Sequence, residues 1–172
     1  TPHILRLFAL AAAWCALATP LRAAETVARS DIRQNLFSTC FVSDQEGFVA
    51  GELGRIYHTT DGGKTFSRSD TGTRAAFLSV ACLPDGTVIV TGQRGLALRS
   101  RDKGATWQPL DTGTKRDLLS VGFASPQVGV AVGDFGTMIR TEDGGQTWGQ
   151  VDLPSDLVLP EDVAEIVQPG DV

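Results

Sequence analysis

A period of 41 residues governs this chain. Asp61, Asp102 and Asp143 follow one another at that interval, each inside the same local phrase. The phrases are Thr59-Thr-Asp61-Gly-Gly63-Lys-Thr65-Phe66, Ser100-Arg-Asp102-Lys-Gly104-Ala-Thr106-Trp107 and Thr141-Glu-Asp143-Gly-Gly145-Gln-Thr147-Trp148. Two further features keep step: the glycine pairs Gly51/Gly54, Gly92/Gly95 and Gly133/Gly136, and the openings Phe37-Ser-Thr39, Leu78-Ser-Val80 and Leu119-Ser-Val121. Three independent features on one period fix the organisation of the chain before any single motif is weighed.

Within a unit the pattern is that of short strands. In the third copy, strands are expected over 118–124, 128–133, 137–141 and 147–151, separated by Ser125-Pro126-Gln127, Asp134-Phe135-Gly136 and Asp143-Gly144-Gly145. Those separators are turn chemistry. Alternation predicts that Leu119, Val121 and Phe123 share one face and Ser120, Gly122 and Ala124 the other. The small face suits crowding near an axis, and the large face suits packing on a neighbouring sheet. A four-stranded antiparallel unit of this length is a propeller blade. A β-solenoid or a stack of hairpins is the alternative, but solenoid coils are usually shorter. The expected fold is therefore all-β: a β-propeller with three complete four-stranded blades over residues 36–158 and 159–172 as the start of a truncated fourth, the segment around 157–167 opening it.

Composition limits the function. Of 172 residues, 42% are hydrophobic and 19 are glycine, too much regularly placed apolar material for a disordered chain. The net charge of -5 disfavours a nucleic-acid binder relying on global positive charge. Residues 1–24 read as a secretory signal peptide: Arg6, an apolar run over 7–18, Pro20, then Ala23 and Ala24 at a cleavage site. The run is short for a membrane span of about 20 residues, which disfavours an uncleaved anchor. Trp14 before Cys15 disfavours a lipid anchor. The expectation is an exported protein, periplasmic or lumenal, with no membrane span after cleavage and with 25–35 as a linker or closing strand.

The repeated phrase resembles the Asp-box, the bacterial neuraminidase repeat. Its chemistry is that of a hairpin. Asp61, Asp102 and Asp143 accept hydrogen bonds from their own turns, and Gly63, Gly104 and Gly145 allow a positive φ. Thr65, Thr106 and Thr147 complete the pattern, and Phe66, Trp107 and Trp148 pack between sheets. A calcium loop needs several oxygen ligands and a closing glutamate. Each copy offers one dependable carboxylate, so no metal is expected.

The longer phrase from Ala131-Val132-Gly133 to Thr147-Trp148 resembles the repeat of the photosystem II stability and assembly factor-like propellers, with looser copies over 50–66 and 91–107. The resemblance covers about residues 36–152. It implies an exported, non-enzymatic, seven-bladed propeller without cofactors that binds a protein partner during assembly of a membrane complex, in phototrophs a photosystem II reaction-centre precursor. Three blades do not close a ring of roughly 4–8. Either the chain is truncated or chains associate to complete the circle; an open blade edge is an aggregation hazard, which favours truncation.

The enzymatic alternative is a secreted glycoside hydrolase, sialidase-like, or a carbohydrate-binding propeller. A sialidase needs a tyrosine nucleophile, a carboxylate pair and an arginine clamp. The one tyrosine, Tyr57, aligns with Leu98 and Ile139 and reads as packing. His58 aligns with Arg99 and Arg140 and reads as a polar strand position, not a metal ligand or base. Cys40 aligns with Ala81 and Gly122, Cys82 with Phe41 and Phe123. Opposite faces predict two buried free thiols and no disulfide. Strand order places the Asp-box turns at one end of the blades and the glycine-pair hairpins and connectors at the other. The second end gathers Arg74, Arg94, Lys115 and Arg116, the expected contact surface for a partner.

Overall fold

Alternating apolar residues, punctuated by glycine turns, make each unit a four-stranded antiparallel meander. The structure, a computed structural model, describes residues 26–27 and 32–152. The first blade contains β2 (Leu36–Phe41), β3 (Gly47–Gly51), β4 (Ile56–Thr59) and β5 (Phe66–Ser69). The second contains β6 (Phe77–Cys82), β7 (Val88–Gly92), β8 (Ala97–Ser100) and β9 (Gln108–Pro109). The third contains β10 (Leu118–Phe123), β11 (Gly129–Gly133), β12 (Met138–Thr141) and β13 (Gly149–Gln150). In each blade the strands lie side by side in chain order. A fifth strand, β1 (Thr26–Val27), extends the first blade at its outer edge, Thr26 pairing with Ser67 and Val27 with Phe66. The three blades and their sheets are those of a propeller. Residues 1–24, expected as a signal peptide, and 159–172, expected to begin a fourth blade, lie outside the described residues. Among the described residues no helix is long and apolar enough to cross a membrane.

The apolar core lies between blades. Phe48, Ala50 and Ile56 of the first blade pack with Phe77, Val80, Val88, Val90 and Leu98 of the second, and Trp107 seals the edge. Between the second and third, Ala81, Phe123 and Trp148 pack around Leu118, Val121, Ala131 and Ile139. The expected alternation of β10 is broken by a bulge between Leu118 and Ser120, repeated between Leu36 and Ser38 and between Phe77 and Ser79. One extra residue shifts the side-chain phase. Hence Leu118 is fully buried, while Leu119, expected to share the face of Val121, stays exposed.

Inner strands of neighbouring blades meet with an offset of one residue beyond the repeat. Ser38 Oγ accepts from Val80 N–H at 3.2 Å, and Ser79 Oγ accepts from Val121 N–H at 3.1 Å, each 42 residues on. Cys40 and Cys82 share that offset, and they form a disulfide with Cα atoms 5.7 Å apart. This corrects the expectation of two free thiols. Opposite faces of one sheet are far apart, but the leading face of one blade packs on the trailing face of the next. Residues on opposite faces of successive blades are therefore the ones that meet.

Candidate binding surface

The two ends of the blades differ chemically. At one end each Asp-box aspartate is saturated by its own hairpin. Asp61 Oδ1 accepts from the Thr59 hydroxyl at 2.9 Å and from the N–H groups of Lys64 and Thr65 at 3.0 and 2.9 Å; Oδ2 accepts from the Thr65 hydroxyl at 2.7 Å. Asp102 accepts from the hydroxyls of Ser100 and Thr106 and from Thr106 N–H. Asp143 accepts from the hydroxyls of Thr141 and Thr147 and from the N–H groups of Gln146 and Thr147. The glycine closes the loop from the other side: Gly63, Gly104 and Gly145 donate N–H to Thr59, Ser100 and Thr141 Oγ at 2.8, 2.8 and 2.9 Å.

These donors stabilise the ionised carboxylates. The Thr65 hydroxyl, with Thr65 N–H behind it, lowers Asp61 to about 2. The Thr147 hydroxyl and N–H hold Asp143 well below the usual carboxylate range. At Asp102 burial pushes upward, but the Thr106 and Ser100 donors together outweigh it and the result is again lowered. With both oxygens occupied, these aspartates have little left to offer a ligand. Trp148 meets Phe123 edge-on with ring centroids 6.1 Å apart, and Trp107 sits against the first core.

The other end carries the hairpins over the glycine pairs and the connectors between blades. Connector and hairpin are tied together: the Thr71 hydroxyl donates to Gly54 O at 2.9 Å and the Thr112 hydroxyl to Gly95 O at 2.8 Å. The far end of each connector reaches the following hairpin, Gln93 N–H donating to Ala76 O and Asp134 N–H to Asp117 O. A Cβ at Gly95 would fall 2.0 Å from Thr114 O, and its φ of +72° is left-handed, so glycine is required on both grounds.

On this end stand Arg74, Arg94, Lys115 and Arg116, all exposed. Arg94 occupies the hairpin tip with φ 58°, its N–H donating to Asp117 Oδ1 at 2.7 Å. The Arg116 guanidinium lies 4.5 Å over the ring of Phe135. Among the described residues Arg74, Arg94 and Lys115 make no ion pair. Sequence reasoning singled out Arg94 but missed its equivalents Leu53 and Phe135, which also precede the second glycine of a pair: all three have positive φ, and Phe135 is 85% exposed. The repeat interval alone marks these three as equivalent tips.

Tyr57 is buried, its hydroxyl donating to Gln34 Oε1 at 3.1 Å. His58 stacks on Phe48 with centroids 4.5 Å apart and lies 3.2 Å from Glu46 Oε1. Glu46 is held low by its hydrogen bond from Lys103 of the next blade, with burial opposing and His58 assisting. This group joins blades; it does not line the basic end.

Residues 22–116 match the family described as Photosynthesis system II assembly factor YCF48. The chain belongs to this family. YCF48 from Cyanidioschyzon merolae superposes with a TM-score of 0.63 at 26% identity, covering 73% of this chain and 42% of that one. YCF48 bound to D1 peptide gives 0.62 at 18% identity, over 74% of this chain and 42% of that one. An ancestral GH74 enzyme gives 0.58 at 18% identity, over 72% of this chain and 19% of that one, which is a likeness of fold alone. The chain thus spans 42% of the length of either YCF48 structure. No curated protein matches the sequence significantly.

Proposed function

We propose that this chain is an exported, non-catalytic, protein-binding propeller that holds a segment of a membrane-complex subunit during assembly. The reading rests on one observation: the connector end presents Arg74, Arg94, Lys115 and Arg116 on exposed loops fixed to a rigid scaffold, whereas the Asp-box end spends its polar groups internally. Loops on a rigid frame are where recognition concentrates, and arginine suits carboxylate-bearing peptides. A family member bound to D1 peptide supports a peptide ligand of this kind. The leader-like residues 1–24 and the Cys40–Cys82 disulfide both favour an oxidising, extracytoplasmic compartment.

The test is binding of a D1 peptide to the chain and to its triple charge-reversal variant Arg74→Glu, Arg94→Glu, Arg116→Glu. The reading expects affinity to fall by more than about tenfold, with on-rate and salt dependence both reduced. Unchanged affinity would place the contact elsewhere. The likeness to the GH74 fold gives the competing reading, a glycoside hydrolase, and turnover of a fluorogenic glycoside by the chain would replace the binding role.

A further inference from the structure

Large apolar side chains left in water are not spread evenly over the blades. Two sets of equivalent positions carry them at the connector end. The first is the hairpin tip, occupied by Leu53, Arg94 and Phe135, all exposed. The second is the bulge at the start of each innermost strand, occupied by Phe37, Leu78 and Leu119. Phe37 is 46% exposed and Leu119 50%, and Leu78 stays partly exposed although a blade packs on either side of its own. Leu36 and Val132 are exposed for another reason. Their equivalents one blade inward, Phe77 and Thr91, are fully buried, so this pair surfaces only where no further blade is described beside it. At the opposite end Phe41 is the one large apolar residue so exposed among the described residues.

Packing does not account for the tips. A bulky residue with positive φ is costly, and a side chain that stays in water recovers little of that cost from the fold. Yet all three tips hold one, at φ 58°, 58° and 55°. The cations are woven into the same rows. Arg94 is itself the middle tip, and its N–H donates to Asp117, two residues before Leu119. The Arg116 guanidinium carbon lies 4.5 Å from the centroid of the Phe135 ring, so a charge and an apolar ring are offered as one unit. The acids nearby are engaged by their own loops. Glu52 accepts from Asn35, Asp70 from Gly72 N–H, Asp111 from Gly113 N–H and Asp117 from Arg94 N–H.

We propose that the connector end binds an extended acidic peptide in which large apolar side chains stand next to carboxylates. The bulge row and the tips Leu53 and Phe135 take the apolar groups, while Arg94 and Arg116 take the carboxylates. This rests on the reading of that end as the partner-binding surface, and adds what the surface selects: a partner is held by its apolar side chains as well as by its charge. Exposed apolar residues interleaved with arginine have the make-up of a recognition core. Charge favours a peptide over an anionic bilayer. The chain carries a net charge of -5, and Glu52, Asp117 and Asp134 share this end with the cations. A uniformly anionic surface would meet all of these acids at once, whereas a single extended peptide passes between them.

The probes are two synthetic peptides of equal length and charge, one alternating glutamate with leucine and the other glutamate with serine, titrated against the chain at physiological salt. The leucine peptide should bind about tenfold tighter or more. Leu119→Ser combined with Phe135→Ser should bring the two affinities to within about threefold of each other and leave that of the serine peptide unchanged. Both substitutions alter exposed side chains, so the melting curve of this variant should match that of the parent. Phe41→Ser, at the opposite end, should change neither affinity. Equal binding of both peptides by the parent, lost for both on reversing Arg74, Arg94 and Arg116, overturns the apolar selection and leaves the basic surface standing. If neither peptide binds, the inference and the basic surface fall together. A leucine preference that survives Leu119→Ser with Phe135→Ser, or binding to phosphatidylglycerol vesicles in place of the peptides, also overturns it.

Discussion

Cys40 and Cys82 are bonded across the first two blades although they lie on opposite faces of their own sheets. The bond closes a loop that contains most of the first blade and spans 42 residues. Constraining a loop of this size in the unfolded chain contributes about 2–4 kcal/mol. Cys40→Ala with Cys82→Ala should lower stability by about that amount, and dithiothreitol should lower the parent chain equally while leaving the double variant unchanged. Denaturant titrations with and without reductant read both effects.

Ser79 and Ser120 occupy the same place in successive inner strands and differ only in what faces them. The Ser79 hydroxyl accepts from Val121 N–H in a buried setting, while Ser120 is exposed. Ser79→Ala leaves a buried N–H unpaired, at a cost of about 1–3 kcal/mol. Ser120→Ala should be nearly neutral. Equal losses in thermal melts of the two variants would contradict the role given to the inner-strand serines.

The Asp-box carboxylates make acid stability predictable in sign. An ordinary aspartate titrates near about 3.9, and Asp61 is lowered to about 2. A folded-state value below the unfolded one contributes stability that is complete above about pH 4 and is lost as pH falls through the folded value. Asp102 and Asp143 shift in the same direction. The denaturant midpoint should therefore drop steadily from about pH 4 to about pH 2, and Asp61→Asn should be less stable at neutral pH with a shallower acid slope. A midpoint that holds level over that window would remove the hairpins as the source of acid sensitivity.

Phe135 pairs exposure with strain. A bulky side chain at φ 55° costs about 1–2 kcal/mol relative to its usual conformations, and glycine avoids that cost. Phe135→Gly should leave the fold equally or more stable, yet weaken binding of a D1 peptide if the connector end is the contact surface. Calorimetry on the variant, with peptide titration alongside, separates the two consequences. Loss of both stability and binding would mean that Phe135 is structural.

The fold was legible because the signals were periodic. Asp61, Asp102 and Asp143 fixed the hairpins, and the glycine pairs fixed the opposite turns, so blade number and strand order followed from spacing. The contacts between blades were less legible, because they obey a second rule: inner strands meet at repeat plus one. Applied to Cys40, that rule leads to Cys82. It is hidden in one sequence, since nothing in a single strand states the stagger of its neighbour. The bulges at Phe37, Leu78 and Leu119 were masked for a related reason, because strict alternation assumes no extra residue. The basic end was visible as charge, whereas the exposed Phe135 tip needed the backbone to show it.

The constant stagger between inner strands has an evolutionary consequence. The serine contacts that join inner strands of successive blades, Ser38 with Val80 and Ser79 with Val121, recur at a fixed distance of 42 residues, so a gene segment one unit long carries the same half-joint at each of its ends. Unequal recombination between units can then add or remove whole copies while keeping the inner-strand serine joints in register, although the disulfide and the Glu46–Lys103 pair belong to one seam alone.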